Sequence, residues 1–235
     1  MLDLIMQSMP RLLQGTWVTI WLTLLAVSIG LAMAVPLSLA LVAKSRAVRW
    51  PVLAFTFYFR GTPLLVQIFL IYFGSGQFRG LLDDMGLWTF FRDASFCAVL
   101  ALSLNHAGYS AEILRGGIMG VPHGEIEAAR ACGMSGLKLY WRIIMPVAFR
   151  MAWPAYTNEV VFMLQATSLV SIITVMDLTG QARSIASRTY AIYEIYITAA
   201  VLYLVLVYLL LYCFRKVERN ITAHLRDRVA SAKPI

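Results

Sequence analysis

The chain has 235 residues, of which 60% are hydrophobic and only 14% charged, with a formal net charge of +8 at pH 7. The apolar share exceeds the roughly 45–50% of soluble domains and the charge falls below their usual ~25%, which excludes an ordinary soluble domain and fits a small membrane bundle. The Lys/Arg excess flanks apolar stretches, so it reads as a membrane-topology signal and not as a nucleic-acid surface.

A membrane-crossing helix takes about 20 largely apolar residues, and five such spans are expected. The first covers residues 16–42. It is too long for a signal-peptide core and lacks a basic leader, so no cleavable signal is expected. The second, residues 52–73, carries Arg60-Gly61-Thr62-Pro63. The third, residues 94–114, contains Asn105, His106, Tyr109, Ser110 and Glu112. The fourth, residues 147–164 with an apolar continuation to 175, bears Asn158 and Glu159. The fifth covers residues 192–214. There is no internal repeat, and an odd number of spans argues against two inverted halves. Cys97, Cys132 and Cys213 are scattered and odd in number, so neither a disulfide framework nor a zinc site is expected.

Basic residues set the orientation. Lys44, Arg46 and Arg49 follow the first span, Arg115, Arg130, Lys138, Arg142 and Arg150 the third, and Arg215, Lys216, Arg219, Arg226, Arg228 and Lys233 the fifth. The other side has only Arg11, Arg79, Arg92, Arg183 and Arg188, offset by Asp3, Asp83, Asp84, Asp93, Asp177 and Glu194. The positive-inside rule then places the N-terminus outside and the C-terminus in the cytoplasm, with the basic tail against anionic headgroups.

Residues 121–146 are too polar for a lipid core and are held between two apolar spans. Pro122 suits the first position of a helix, Glu125 and Glu127 its first turn, and Gly133 a left-handed stop. Ser135 suits the cap of a second helix through Lys138 and Arg142, and Pro146 marks the return to the membrane. The expected form is helix, glycine hinge, helix, offered on the cytoplasmic side to a soluble partner. An ordinary amphipathic loop is the plain alternative.

The spacing Glu127-Ala128-Ala129, three residues, Gly133, nine residues, Ile143-Ile144-Met145-Pro146 resembles the signature of binding-protein-dependent ABC importer permeases. Met145 stands where leucine is common. Arg60-Gly61-Thr62-Pro63, Val121-Pro122-His123-Gly124-Glu125, Ala155-Tyr156 with Asn158-Glu159, and Thr167-Ser168-Leu169 resemble the polar amino-acid branch. They are most like the membrane subunits of histidine/lysine/arginine/ornithine and octopine/nopaline importers. Gln165 replaces a lysine that many members carry near this point. The resemblance covers nearly the whole chain and implies an all-α membrane protein, a single transmembrane permease domain over 1–235 with the coupling hairpin at 121–146. It implies that Glu127, Ala128, Ala129, Gly133, Ile143 and Pro146 couple to an ATPase. The implied partners are a second permease, two ATP-binding subunits and a periplasmic substrate-binding protein, in the bacterial inner membrane and without nucleic acid.

A charged group at bilayer depth costs at least ~2.5–3.5 kcal/mol, so Arg60 and Glu159 must face protein or water. Arg60 either steadies a helix break or meets substrate. Glu159 needs a cation, and a basic amino-acid side chain or Arg60 would serve. The resemblance implies a substrate pocket near mid-membrane at the subunit interface, with Glu159 reading the substrate's positive side chain; Asn158 beside it and Arg60 are the further candidates. Met163, Thr167 and Ser168 follow at roughly helical intervals and are candidates for the same pocket, with core packing as the default reading. His106 is read as a hydrogen-bonded packing residue with no second histidine at metal-ligand spacing.

No GxxxxGK[ST], GxSxG or HExxH motif occurs in the sequence. The chain is therefore read as a transport subunit without catalysis or cofactor of its own, ATP and Mg belonging to the partner. The expected cargo is polar, with basic amino acids foremost. An ion-coupled secondary transporter and a non-transporting scaffold subunit are the rival readings.

Overall fold

The computed structural model describes residues 2–221, and every regular element in that range is helical. Arg226, Arg228 and Lys233 of the basic tail lie outside the described residues. Helix α1 runs over Leu2–Leu41, far ahead of the expected start at residue 16. Its 40 residues span about 60 Å at 1.5 Å each, roughly twice a ~30 Å hydrocarbon core. Asp3, Gln7 and Arg11 interrupt the apolar run and hide this first part from a hydropathy reading. The 3.6-residue period nevertheless persists, because Ser8, Leu12 and Thr19 are all buried.

The expected second span is two helices, α2 (Arg46–Gly61) and α3 (Leu64–Ser75). Thr62 ends the first in extended conformation, and Pro63, which lacks an N–H, opens the second. The freed backbone groups are re-paired from within the bundle. Gln67 Nε2 donates to the carbonyls of Phe59 (2.9 Å) and Thr62 (3.1 Å), and Asn105 Nδ2 donates to the Phe59 carbonyl (3.0 Å) and to Gln67 Oε1 (3.0 Å). This is how a helix break is tolerated away from water. A short 3-10 turn, α4 (Arg79–Asp84) and α5 (Trp88–Phe91) follow.

Helix α6 (Ala94–Met119) is the central element, capped by Asp93 through Ser95 N–H (2.8 Å). It packs against α1, α2, α3 and, farther along, α9. Its buried face is built from small residues, Ala98, Ala101, Ala107, Ala111 and Gly117 among them, which lets neighbouring backbones approach closely. Helix α7 (His123–Ala131) and α8 (Gly136–Leu139) form the hairpin. A π-helical turn, Tyr140–Ile144, joins α8 without a break to α9 (Met145–Ala166). Pro146 therefore sits in the first turn of α9 inside a continuous helix and does not mark a separate return point.

The apolar continuation after residue 164 is α-helical to Ala166 and then forms a 3-10 stretch, Thr167–Ile173. Helix α10 (Leu178–Thr189) was not anticipated, because its sequence is polar. Helix α11 (Ile192–Ile221) extends past the expected end at residue 214. By length and composition alone, the stretches Asp3–Leu41, Leu64–Asp84 and Ile192–Asn220 suffice to cross a membrane, with a fourth crossing if Gly136–Ile173 and Leu178–Thr189 act as one span bent by 49°. Helix α6 is long enough but too polar for that criterion; its Asn105, His106 and Ser110 are buried against other helices.

Asp177, counted as a loop charge from the sequence, is fully buried as the cap of α10. Its carboxylate accepts from Gly180 N–H (2.9 Å), Thr179 N–H (3.2 Å) and Tyr203 OH (3.1 Å), while Leu178 N–H donates to Thr19 Oγ1 (3.2 Å). These bonds tie α1, α10 and α11 together around the core of Leu12, Leu178, Ile185 and Ile195.

Candidate functional site

The hairpin has the expected form. Pro122 sits at the cap position, one residue before the helix, and Glu125 lies in the first turn with Glu127 beyond it. Helix α7 ends when Met134 N–H bonds to the Ala129 carbonyl (3.0 Å) around Gly133 at φ 76°. Ser135 takes the extended cap conformation, but its side chain makes no capping bond. Gly136 is also left-handed (φ 53°), a second hinge point that the sequence reading passed over.

Ala129, Leu139 and Ile144 anchor the hairpin on Ile118, Val121 and Ala148, with Leu39 and Val42 of α1 and its loop against them. Ile143 is half-buried in the same cluster. Glu127, Ala128, Gly133 and Pro146 are exposed, beside the exposed apolar side chains Leu137 and Trp141. The hairpin thus has one face fixed to the bundle and one face open.

Nothing lies within 4 Å of a Cβ added at Gly133, so Gly133→Ala tests conformation alone. A left-handed alanine costs about 1–2 kcal/mol. The variant should melt about 2–8 °C lower than the wild type in thermal denaturation of the purified protein.

Deeper in the bundle, Glu159, Asn105, Tyr109, Phe162, Met163 and Ala166 line a cavity of about 310 Å³ between α6 and α9. The Glu159 side chain is 12% exposed. Its Oε1 lies 3.6 Å from Nδ1 of the fully buried His106, whose Nε2 is 3.2 Å from Ser110 Oγ. Six residues nearer the hairpin on α6 than His106, Glu112 Oε2 pairs with Arg115 Nε at 2.7 Å and reaches Arg60 Nη1 at 3.9 Å. The Arg60 guanidinium lies over the Tyr109 ring, 5.5 Å from its centroid, and Tyr109 OH donates to the Arg60 carbonyl at 3.3 Å.

The structure therefore brings together only part of the set picked from the sequence. Met163 shares the cavity with Glu159. Arg60 stands beside it but pairs with Glu112, not with Glu159. Asn158 points to the exposed side of α9. Thr167 is fully buried, its hydroxyl donating to the Leu164 carbonyl at 2.8 Å. Ser168 lines a different cavity with Gln165, Thr179, Tyr196 and Tyr203. At about 100° per residue, Ser168, nine residues on, faces away from Glu159 even on a straight α-helix, and Thr167, eight residues on, lies about 80° off. The partners that sequence reasoning missed are His106 for Glu159 and Glu112 for Arg60. Glu112 and Arg115 were visible as an i, i+3 pair of opposite charge.

Comparison with known proteins follows the same lines. Residues 11–222 match the family described as binding-protein-dependent transport system inner membrane component. The chain is 44% identical to the nopaline transport system permease protein NocM of Agrobacterium fabrum, over 99% of this chain and 97% of that protein. It is 44% identical to the histidine/lysine/arginine/ornithine transport system permease protein HisM of Salmonella typhimurium, over 91% of each. Among solved structures, that of an amino acid ABC transporter with histidines superposes with a TM-score of 0.80 at 35% identity, covering 92% of this chain and 96% of that one. An inward-facing MetNI methionine ABC transporter gives a TM-score of 0.75 at 20% identity, over 91% of this chain and 97% of that one, a likeness of fold.

Proposed function

The chain belongs to the family of binding-protein-dependent transport system inner membrane components, and from that membership we propose that it is the driven half of an ATP-powered importer for basic amino acids or related opines. The observation that carries this reading is the unbroken helical path from the hairpin to the pocket. Residues 136–166 run through α8, the π turn and α9 without interruption, so a push on the hairpin moves Glu159 some 15 residues beyond the turn, roughly 22 Å along the axis.

In this mechanism a periplasmic binding protein delivers substrate from outside, where the N-terminus lies. Two cytoplasmic ATPases close on ATP and grip the open hairpin face at Glu127, Ala128, Gly133 and Pro146. The subunit itself hydrolyses nothing. A second, similar permease covers the exposed side of α9, which places Asn158 in a protein interface and closes the cavity from the other side. Within the cavity the Glu159 carboxylate takes the cationic end of the substrate; its near-complete burial strengthens that attraction. Arg60, held by Glu112 beside Tyr109, meets the substrate carboxylate on the hairpin side.

The test is uptake of radiolabelled arginine into proteoliposomes holding both permeases, the ATPases and the binding protein. Uptake should require ATP, and Glu159→Gln should raise KM for arginine by roughly tenfold or more, the loss of one buried charge-assisted contact. Unchanged arginine uptake by Glu159→Gln would remove Glu159 from the pocket, and uptake without ATP would overturn the importer reading.

A further inference from the structure

We propose that His106 is the positioning residue for Glu159, holding one carboxylate oxygen so that the other is presented to the cavity. The inference rests on the reading of Glu159 as the group that takes the substrate cation.

The imidazole is clamped on three sides. Its Nε2 meets Ser110 Oγ at 3.2 Å on its own helix, and the Tyr156 ring of α9 lies 5.7 Å away, centroid to centroid. The α1 backbone also runs so close at Gly30 that a Cβ there would fall 2.8 Å from His106 Cδ2. The ring is fully buried and cannot swing out. Among the described residues its Nδ1 has no hydrogen-bond partner, and the nearest acidic atom is Glu159 Oε1 at 3.6 Å. That separation is just too long for a hydrogen bond, and a small rotation of the flexible glutamate closes it.

The proposed contact requires one tautomer of the neutral imidazole. An ionised carboxylate only accepts, so Nδ1 must carry the hydrogen, and Nε2 is left to accept from the Ser110 hydroxyl. The same logic operates where a histidine fixed through one nitrogen orients a group through the other. Without this donor Glu159 is held at low dielectric without a hydrogen-bond donor, and a carboxylate so placed turns away toward water, which weakens its hold on a cation.

The experiment is equilibrium binding of radiolabelled arginine to the purified complex of both permeases and the ATPases, without binding protein, together with KM and kcat for uptake. His106→Leu should weaken arginine binding by roughly tenfold and raise KM while leaving kcat unchanged. His106→Asn, whose amide N–H falls near the position of Nδ1, should stay close to wild type. His106→Gln, which reaches toward Ser110 instead, should resemble His106→Leu. In the Glu159→Gln background His106→Leu should add nothing, because the residue acts through that carboxylate. Wild-type binding by His106→Leu, equal loss in the Asn and Gln variants, or an undiminished effect in the Glu159→Gln background would each overturn the proposal. If Glu159→Gln alone binds arginine normally, the pocket reading falls and the inference with it. If Glu159→Gln is impaired while the His106 variants are not, only the role of His106 falls.

Discussion

Gly117→Ala is expected to destabilise the protein by about 2 kcal/mol or more, although it adds a single methyl group to a helix. Gly117 lies where α6 crosses α9. A Cβ built there falls on the Ala148 carbonyl oxygen and 3.1 Å from Ala152 Cβ, and a Cβ is as immovable as the backbone carbonyl. No rotamer relieves the clash, so the helices must separate and lose packing along the whole crossing. The neighbouring Gly116 provides the control, since a Cβ there meets nothing within 4 Å. Gly116→Ala should be neutral or stabilising by up to about 1 kcal/mol through helix propensity alone. Thermal denaturation of the two purified variants should therefore show a lowered melting temperature for Gly117→Ala and an unchanged or raised one for Gly116→Ala. Equal melting temperatures would mean that α6 and α9 are not in close contact at this point.

Asp177→Ala carries the second large effect, a loss of about 3 kcal/mol. The substitution removes the cap of α10 and leaves the N–H groups of Thr179 and Gly180 without their buried acceptor, while the Tyr203 hydroxyl keeps only Thr179 Oγ1 at 3.0 Å. Because Tyr203 belongs to α11 and Leu178 bonds to Thr19 of α1, the loss loosens the junction of three helices. Asp177→Asn keeps one acceptor oxygen for the cap and should cost roughly half as much. Limited proteolysis near residues 166–190, combined with thermal denaturation, reads both. An alanine variant as stable and as protease-resistant as the wild type would show that the buried carboxylate is dispensable.

The hairpin and the break after Arg60 were legible in the sequence because both depend on local backbone rules. Glycine enters the left-handed region without steric cost, as Gly133 does at φ 76°, and Pro63 lacks an N–H in any context. The partners that make the break tolerable, Gln67 and Asn105, were not legible. Asn105 lies 38 residues from Gln67 along the chain, and only the packing of α6 against α3 brings their side chains to 3.0 Å. Helix α10 escaped for a related reason: its polar sequence resembles a surface loop, and it is helical because Asp177 caps it and Leu178, Ala182 and Ile185 bury against α1 and α11. Ser168 was assigned to the pocket by its nearness to Glu159 in sequence, but nine residues on, at about 100° each, it faces the opposite side of the helix.

Composition, charge placement and the 121–146 signature by themselves determined that this is an all-α membrane protein with a helix–glycine–helix arm, since hydrophobic excess and backbone punctuation act locally and survive in any tertiary setting. Only the tertiary structure decided which buried charges face each other. Arg60 found Glu112 and Glu159 found His106 because α2, α6 and α9 meet at particular rotations about their axes. Those rotations follow from close packing of small residues such as Gly30, Gly108 and Gly117 against neighbouring helices, a property of the assembled bundle and not of any one segment.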